Sequence, residues 1–526
     1  MKRTGILALL GAAAMTPAPA AAQERAEPAF IDAATCYALP LGLEQAQRDL
    51  FCETATAVLE PEQRLERLNL AIGKLPAAHP ANAMLQTGKA ATLIELGRRG
   101  EALASIRKTM QAFPKLPPVW MGAIEAFAFT EHADAAADFW IELAGFNPVA
   151  ARAIEEYYLL SLSPQLITMR QVAKQQELAA ALDAIDYDGG SETSRSLLAE
   201  AQFYAAFNRG DMPAARVFLS RISNPRSLAD VASDEALRAF RGDNPWEDAG
   251  RRAAILRKWI EGLGRAARSD GLQAGVFIRA IVDHVGPEVA IEAYEPVLRA
   301  QMAKGEAGVD SFDFTYWIAP IATAHLIAGQ AERAEALYRD ALAHFTTLDS
   351  PVRLNATSNY ALFLQRQGRN TEAVPLIEQS IDELARAGGI NAALLQMHAV
   401  RVLALEGLGR SGEAEPSLRL LQQNPRATLA TYINVLLELG RVDQARRSVV
   451  AILESGDYMP AVRLFQPPLA AFVSPFDFRG DALLARLAED RRVRRALAGK
   501  GRVLAYEPVR LEGVALPDLA PGLVPE

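Results

Sequence analysis

At 526 residues the chain exceeds one ordinary compact domain, half of it is hydrophobic, and 55 basic residues against 63 acidic ones give a formal charge of −8. The acidic balance speaks against a general nucleic-acid binder, which needs a basic face for phosphates. The length favours several domains, or a repeat array in which each unit buries its apolar face against its neighbours.

The chain begins Met1-Lys2-Arg3, runs apolar and small from Gly5 to Met15, and reaches Ala20-Ala21-Ala22. A basic start, a short apolar core and a small-residue cleavage site predict a bacterial secretory signal peptide over 1–22, too short to span a bilayer. The expected destination is the periplasm, with secretion the alternative. A short N-terminal segment, 23–44, follows. It carries Cys36, and the only other cysteine is Cys52. In an exported chain this pair is expected to form a disulfide, worth about 3 kcal/mol on the loop-entropy model. The alternative is two unpaired thiols, one buried in the helix around Cys52.

Periodicity organises the rest. Pro80, Pro114 and Pro148 lie 34 residues apart, each after an apolar helical stretch and a short polar step. Proline cannot continue a helix, so it fits between repeats. A second pattern, Gly97-x4-Ala102-x3-Ile106, returns at Gly329/Ala334/Tyr338, Gly368/Ala373/Ile377, Gly409/Ala414/Leu418 and Gly440/Ala445/Val449. The glycine lets the backbone leave one helix and turn into the next, and the alanine keeps Cβ small where paired helices approach. The large apolar residue four positions on fills the groove beyond.

These residues resemble the tetratricopeptide repeat, with its small residue, turn glycine, alanines and closing proline. Ala90, Gly97, Ala102, Ile106 and Pro114 follow the pattern in one repeat, and Trp120, Phe127, Ala136, Trp140 and Pro148 in the next, where Glu131 replaces the glycine. Later copies mostly lose the proline, and their glycines are spaced 39, 41 and 31 residues apart. The resemblance is strong over 81–148 and 312–455 and weak over 45–80 and 195–225. It implies an all-α fold, a right-handed α-solenoid of stacked helical hairpins. The expected organisation is an N-terminal array at 45–225, a less regular helical region at 226–311, a second array at 312–455, and a capping helix and tail at 456–526.

Within the irregular centre, Trp246 to Ala267 reads as one helix, and Gly286-Pro287 opens another. Phe465 to Phe478 is an apolar, proline-interrupted connection, and Asp481 to Ala498 reads as a single capping helix. The last 15 or so residues are expected either to pack along the array or to hang free.

No zinc helix, Cys-x2-Cys pair, nucleophile elbow or Walker loop occurs, so neither cofactor nor metal is expected. His325 is expected in the core or hydrogen-bonded. Asp283-His284 are adjacent on a helix and point apart, which makes no relay. Trp120, Trp140 and Trp259 read as packing, and the run Arg491–Arg495 as a solvated face.

The expectation is therefore a non-catalytic scaffold that binds another envelope protein or an extended peptide, with no nucleic acid and no membrane span. Carrying the family register onto this chain places Tyr316, Asn355, Ser358, Gln365, Gln396, Glu406, Asn434 and Glu438 on the groove side of the first helices. The alternatives are a structural subunit of an envelope or secretion assembly, or an enzyme with its site in 226–311 or 456–526.

Overall fold

The computed structural model describes residues 43–55, 59–128, 132–154, 158–159, 162, 166, 171–187, 192–268, 271–303, 311–344, 351–386, 392–473, 481–517 and 519. Among these residues the chain is all-helical, with no strand and one isolated bridge, Asp234 to Gly501. It falls into two compact units that divide at Gly189–Gly190. The segment expected as a signal peptide, Cys36 and Glu131 lie outside the described residues.

The first unit contains the helices Gln45–Ala55, Pro61–Lys74, Pro80–Glu95, Arg99–Ala112, Pro117–Phe127, Ala133–Phe146, Pro148–Arg152 and Val172–Ala184. Up to Pro148–Arg152 each packs on its neighbours in the chain, and Val172–Ala184 packs back on Ala133–Phe146. Pro80 and Pro148 stand at the first position of their helices, where the missing N–H costs nothing. Pro114 lies in the turn before Pro117–Phe127. Trp140 is fully buried, and its indole N–H donates to Ala151 O at 3.2 Å. Trp120 sets its ring edge-on to Phe139 and Phe146. Cys52 is fully buried on Gln45–Ala55 and is not a free thiol.

In the second unit the hairpins are Glu192–Arg209 with Met212–Arg221, Ser311–Ile327 with Ala331–His344, Pro351–Arg366 with Asn370–Arg386, Ala392–Gly407 with Ser411–Gln423, and Pro425–Glu438 with Val442–Glu454. All five pattern glycines of the chain take left-handed backbone, with φ of 72, 73, 75, 71 and 69° at Gly97, Gly329, Gly368, Gly409 and Gly440. After each, the following N–H reaches back five residues to close the helix, as Arg410 does to Leu405 O at 2.8 Å. Each pattern alanine is buried, and so is the large residue after it. A sixth copy, Gly210-x4-Ala215-x3-Leu219, has the same geometry, with φ of 78° at Gly210.

Between these hairpins lie Pro225–Ser233, two short 3-10 turns, Ala249–Ala266, Gly271–His284 and Pro287–Met302. Trp246 belongs to the second 3-10 turn rather than to the following helix, because Asn244 and Asp248 each cap a new start. Asp490 does the same near the end of the chain: its carboxylate accepts the N–H groups of Arg492 and Val493, so the cap is two helices, Asp481–Glu489 and Arg491–Ala498. Arg491, Arg492, Arg494 and Arg495 are exposed there.

This unit closes on itself. Helix Met459–Leu464 packs against Pro425–Glu438 and Val442–Glu454, and also against Pro225–Ser233 near the unit's start. At Gly501 an added Cβ would meet Val462 at 2.7 Å and Ser233 O at 2.9 Å, so only glycine fits this close approach. Beyond it the tail packs in extended form. Arg502 donates to Ala232 O, Leu511 N–H to His284 O at 2.7 Å, and Arg257 to the carbonyls of Glu512 and Gly513.

Candidate functional site

The eight expected groove residues occupy different environments. Tyr316 and Ser358 are buried; helix Gly271–His284 approaches Tyr316 so closely that a Cβ on Gly275 would lie 2.7 Å from it. Asn355 Oδ1 accepts from Asn359 at 2.8 Å. Gln396 is half-buried. Glu406 accepts from Ser411 Oγ at 2.6 Å and lies 3.5 Å from Arg441.

Gln365, Asn434 and Glu438 form part of a polar row. Arg366 and Glu438, 72 residues apart, pair at 2.8 Å and join Pro351–Arg366 to Pro425–Glu438. On the same two helices, Gln365 Oε1 and Asn434 Oδ1 are buried without a hydrogen-bond partner. A buried acceptor left unpaired costs about 1–3 kcal/mol, so the row carries polar capacity that folding does not use. Among the described residues the tail's hydrogen bonds go to 232–294 and to Gln466 and Pro467, and none goes to this row.

A second cluster lies at the closure of the 190–526 unit, on side chains that sequence reading passed over. Arg463 forks onto Asp230, with Nε 2.8 Å from both carboxylate oxygens and Nη2 2.6 Å from Oδ2. The two side chains are 11% and 5% exposed, so the pair is desolvated and its geometry matters. One turn on, Asp234 Oδ1 accepts from Tyr458 OH at 2.9 Å and from Ala236 N–H at 2.8 Å. Glu200, on Glu192–Arg209, accepts from Ser227 Oγ at 2.6 Å. Burial, aided by the Asp230 charge, pushes the Glu200 carboxyl up to about 7 against the pull of Ser227 and Arg463. Burial also holds the Tyr204 hydroxyl well above its ordinary range and pushes Tyr506 up to about 12. Arg463 loses from burial, but Asp230 outweighs that loss and its pKa is raised.

Over this cluster opens a cavity of about 110 Å³, lined by Arg226, Asp230, Arg463, Pro467, Leu469 and Tyr506 among others. Tyr506 OH donates to Pro467 O at 3.0 Å, and the Arg252 guanidinium lies 5.6 Å from its ring centre. No protein-family model matches the chain, and no curated protein is similar to it.

The histidines and aspartate singled out in the sequence have partners within the fold. His325 is buried between Glu295 Oε2 at 3.0 Å and Gln330 Oε1 at 2.9 Å. Asp283 pairs with Arg279, and His284 Nδ1 faces Val509 O at 3.4 Å. Among the described residues no group of three or more His, Cys, Asp or Glu side chains could hold a metal ion. None of the described helices is long and apolar enough to cross a membrane.

The cluster had a sequence signature, though a faint one. Asp230 sits inside Leu228-Ala229-Asp230-Val231-Ala232, and Arg463 inside Ala461-Val462-Arg463-Leu464-Phe465. A lone charge in an apolar run is a residue in need of a buried partner. Nothing local names that partner 233 residues away.

Proposed function

We propose that this protein is an exported, non-catalytic scaffold of tetratricopeptide type. Its helical hairpins stack as a right-handed solenoid and bind an extended segment of another envelope protein. The supporting observation is the polar row on the two helices that the Arg366–Glu438 pair joins, where the Gln365 and Asn434 amide oxygens lack hydrogen-bond partners. An extended peptide presents N–H donors at regular spacing and would satisfy such acceptors once the two enclosed amides turn outward to meet it. The repeated left-handed glycine and buried alanine support the repeat assignment. Asn355 on Pro351–Arg366 and Gln396 on Ala392–Gly407 are further polar candidates on first helices.

The test is affinity purification from the native envelope with the wild-type chain and with a variant carrying alanine at Asn355, Gln365, Gln396 and Asn434. A polypeptide retained by the first and lost by the second, with both chains equally folded by circular dichroism, supports the reading. Equal recovery on both baits sinks it. A second reading, catalysis at the closure of the unit, draws on the Glu200 carboxyl raised toward neutrality and acted on by Asp230 and Arg463, which line the cavity. Hydrolysis of a panel of ester, amide and glycoside substrates, abolished by Glu200→Gln, would establish it in place of the first.

A further inference from the structure

We propose that the cavity at the closure of the 190–526 unit is a binding site for a small carboxylate bearing an apolar substituent, held by Arg226 and Arg463. The polar wall points to an anion. Asp230 already occupies Nε and Nη2 of Arg463, while Nη1 is buried with no hydrogen-bond partner. Arg226 lines the same cavity. Burial depresses its pKa, the Asp230 charge only partly offsets this, and Arg463 adds to the depression, so an added anion would relieve Arg226 and give Arg463 Nη1 the acceptor it lacks.

The carboxylates nearby are committed elsewhere. Asp230 is neutralised by Arg463, Asp234 takes Tyr458 and the Ala236 N–H, and Glu200 takes Ser227. Planar guanidinium groups match a carboxylate by forked hydrogen bonds, which favours that anion among small ones.

The other lining residues set the rest of the ligand. Ala229, Pro467, Pro468, Leu469 and the Tyr506 ring present apolar surface within about 110 Å³. That room suits a short branched chain rather than a sugar or nucleotide. The site is separate from the polar row on 351–438 and does not rest on the scaffold reading.

The experiment is isothermal titration of the full chain with N-acetyl-leucine, its amide and inorganic phosphate. The acid is expected to bind, with the amide and phosphate each at least tenfold weaker. Arg226→Gln is expected to weaken the acid at least tenfold, with partial recovery in Arg226→Lys. Leu469→Trp, which fills the apolar wall, gives the same loss and serves if Arg226→Gln melts early. The four-alanine variant of the 351–438 row keeps full affinity, so failure of one site is distinguishable from failure of the other. A pentapeptide ending in a free leucine, compared with N-acetyl-leucine, separates a chain terminus from a free acid as the source. Equal binding of acid and amide, equal binding of phosphate, unchanged affinity in Arg226→Gln, or no binding at about 10 mM overturns the proposal.

Discussion

Glu200 shows how one buried carboxyl shapes the response of the fold to pH. Its pKa rises from 4.5 to about 7 on folding, so the native state holds a proton that the unfolded chain releases. Stability from this group is therefore full below pH 4.5, declines as pH rises toward 7, and stays low above it. The difference corresponds to about 3 kcal/mol at pH 8. Glu200→Gln keeps a side chain of similar shape without the charge. In urea denaturation its stability relative to wild type is expected to grow between pH 5 and pH 8; a constant gap across that range would refute the account. His284 works in the opposite sense. Burial lowers its pKa from 6.5 to about 4, so it stabilises the fold above pH 6.5 and loses that contribution as pH falls toward 4. Because its ring and carbonyl hold Val509 and Leu511, protection from hydrogen exchange over 502–517, taken relative to the intrinsic rate at each pH, is expected to fall at pH 4.5, and less so in His284→Gln.

At the scale of elements, the hairpins follow from a short vocabulary. Alanine at Gly409, where φ is 71°, is expected to cost about 1 kcal/mol through left-handed strain. Gly412 lies within Ser411–Gln423 and has open space around its Cβ position. Alanine there is expected to stabilise by up to about 1 kcal/mol. Chemical denaturation of the two variants separates backbone conformation from loss of glycine as such. This vocabulary made the helical hairpins legible in the sequence, because the turn glycine, the close-packed alanine and the filling residue all act within ten residues. Even the sixth copy at Gly210 spells it. What stayed illegible was set at longer range. The break at Asp490 depends on whether a carboxylate turns back to cap two N–H groups. The polar row needs Arg366 to meet Glu438 across an intervening hairpin, and no local period encodes that meeting.

For the 190–526 unit as a whole, the contact between Pro225–Ser233 and Met459–Leu464 decides how its two ends are held. Arg463→Met leaves Asp230 charged and buried, and is expected to cost about 3–5 kcal/mol. Adding Asp230→Asn should restore part of that loss. The coupling is read from a double-mutant cycle, and simple additivity would mean that the pair is not what joins the ends. The same contact has a consequence in time. Asp230 and Arg463 are separated by 233 residues, so a chain emerging from the ribosome at about 5–20 residues per second exposes the first on the order of 10–50 s before the second. During that interval the hairpins between them can form, because their contacts are local, but the carboxylate that will be buried remains hydrated. Joining the ends is then a late event, and weakening it should speed unfolding while leaving the rate of refolding nearly unchanged. Synthesis that stops short of Met459 leaves a stack of hairpins with an open end.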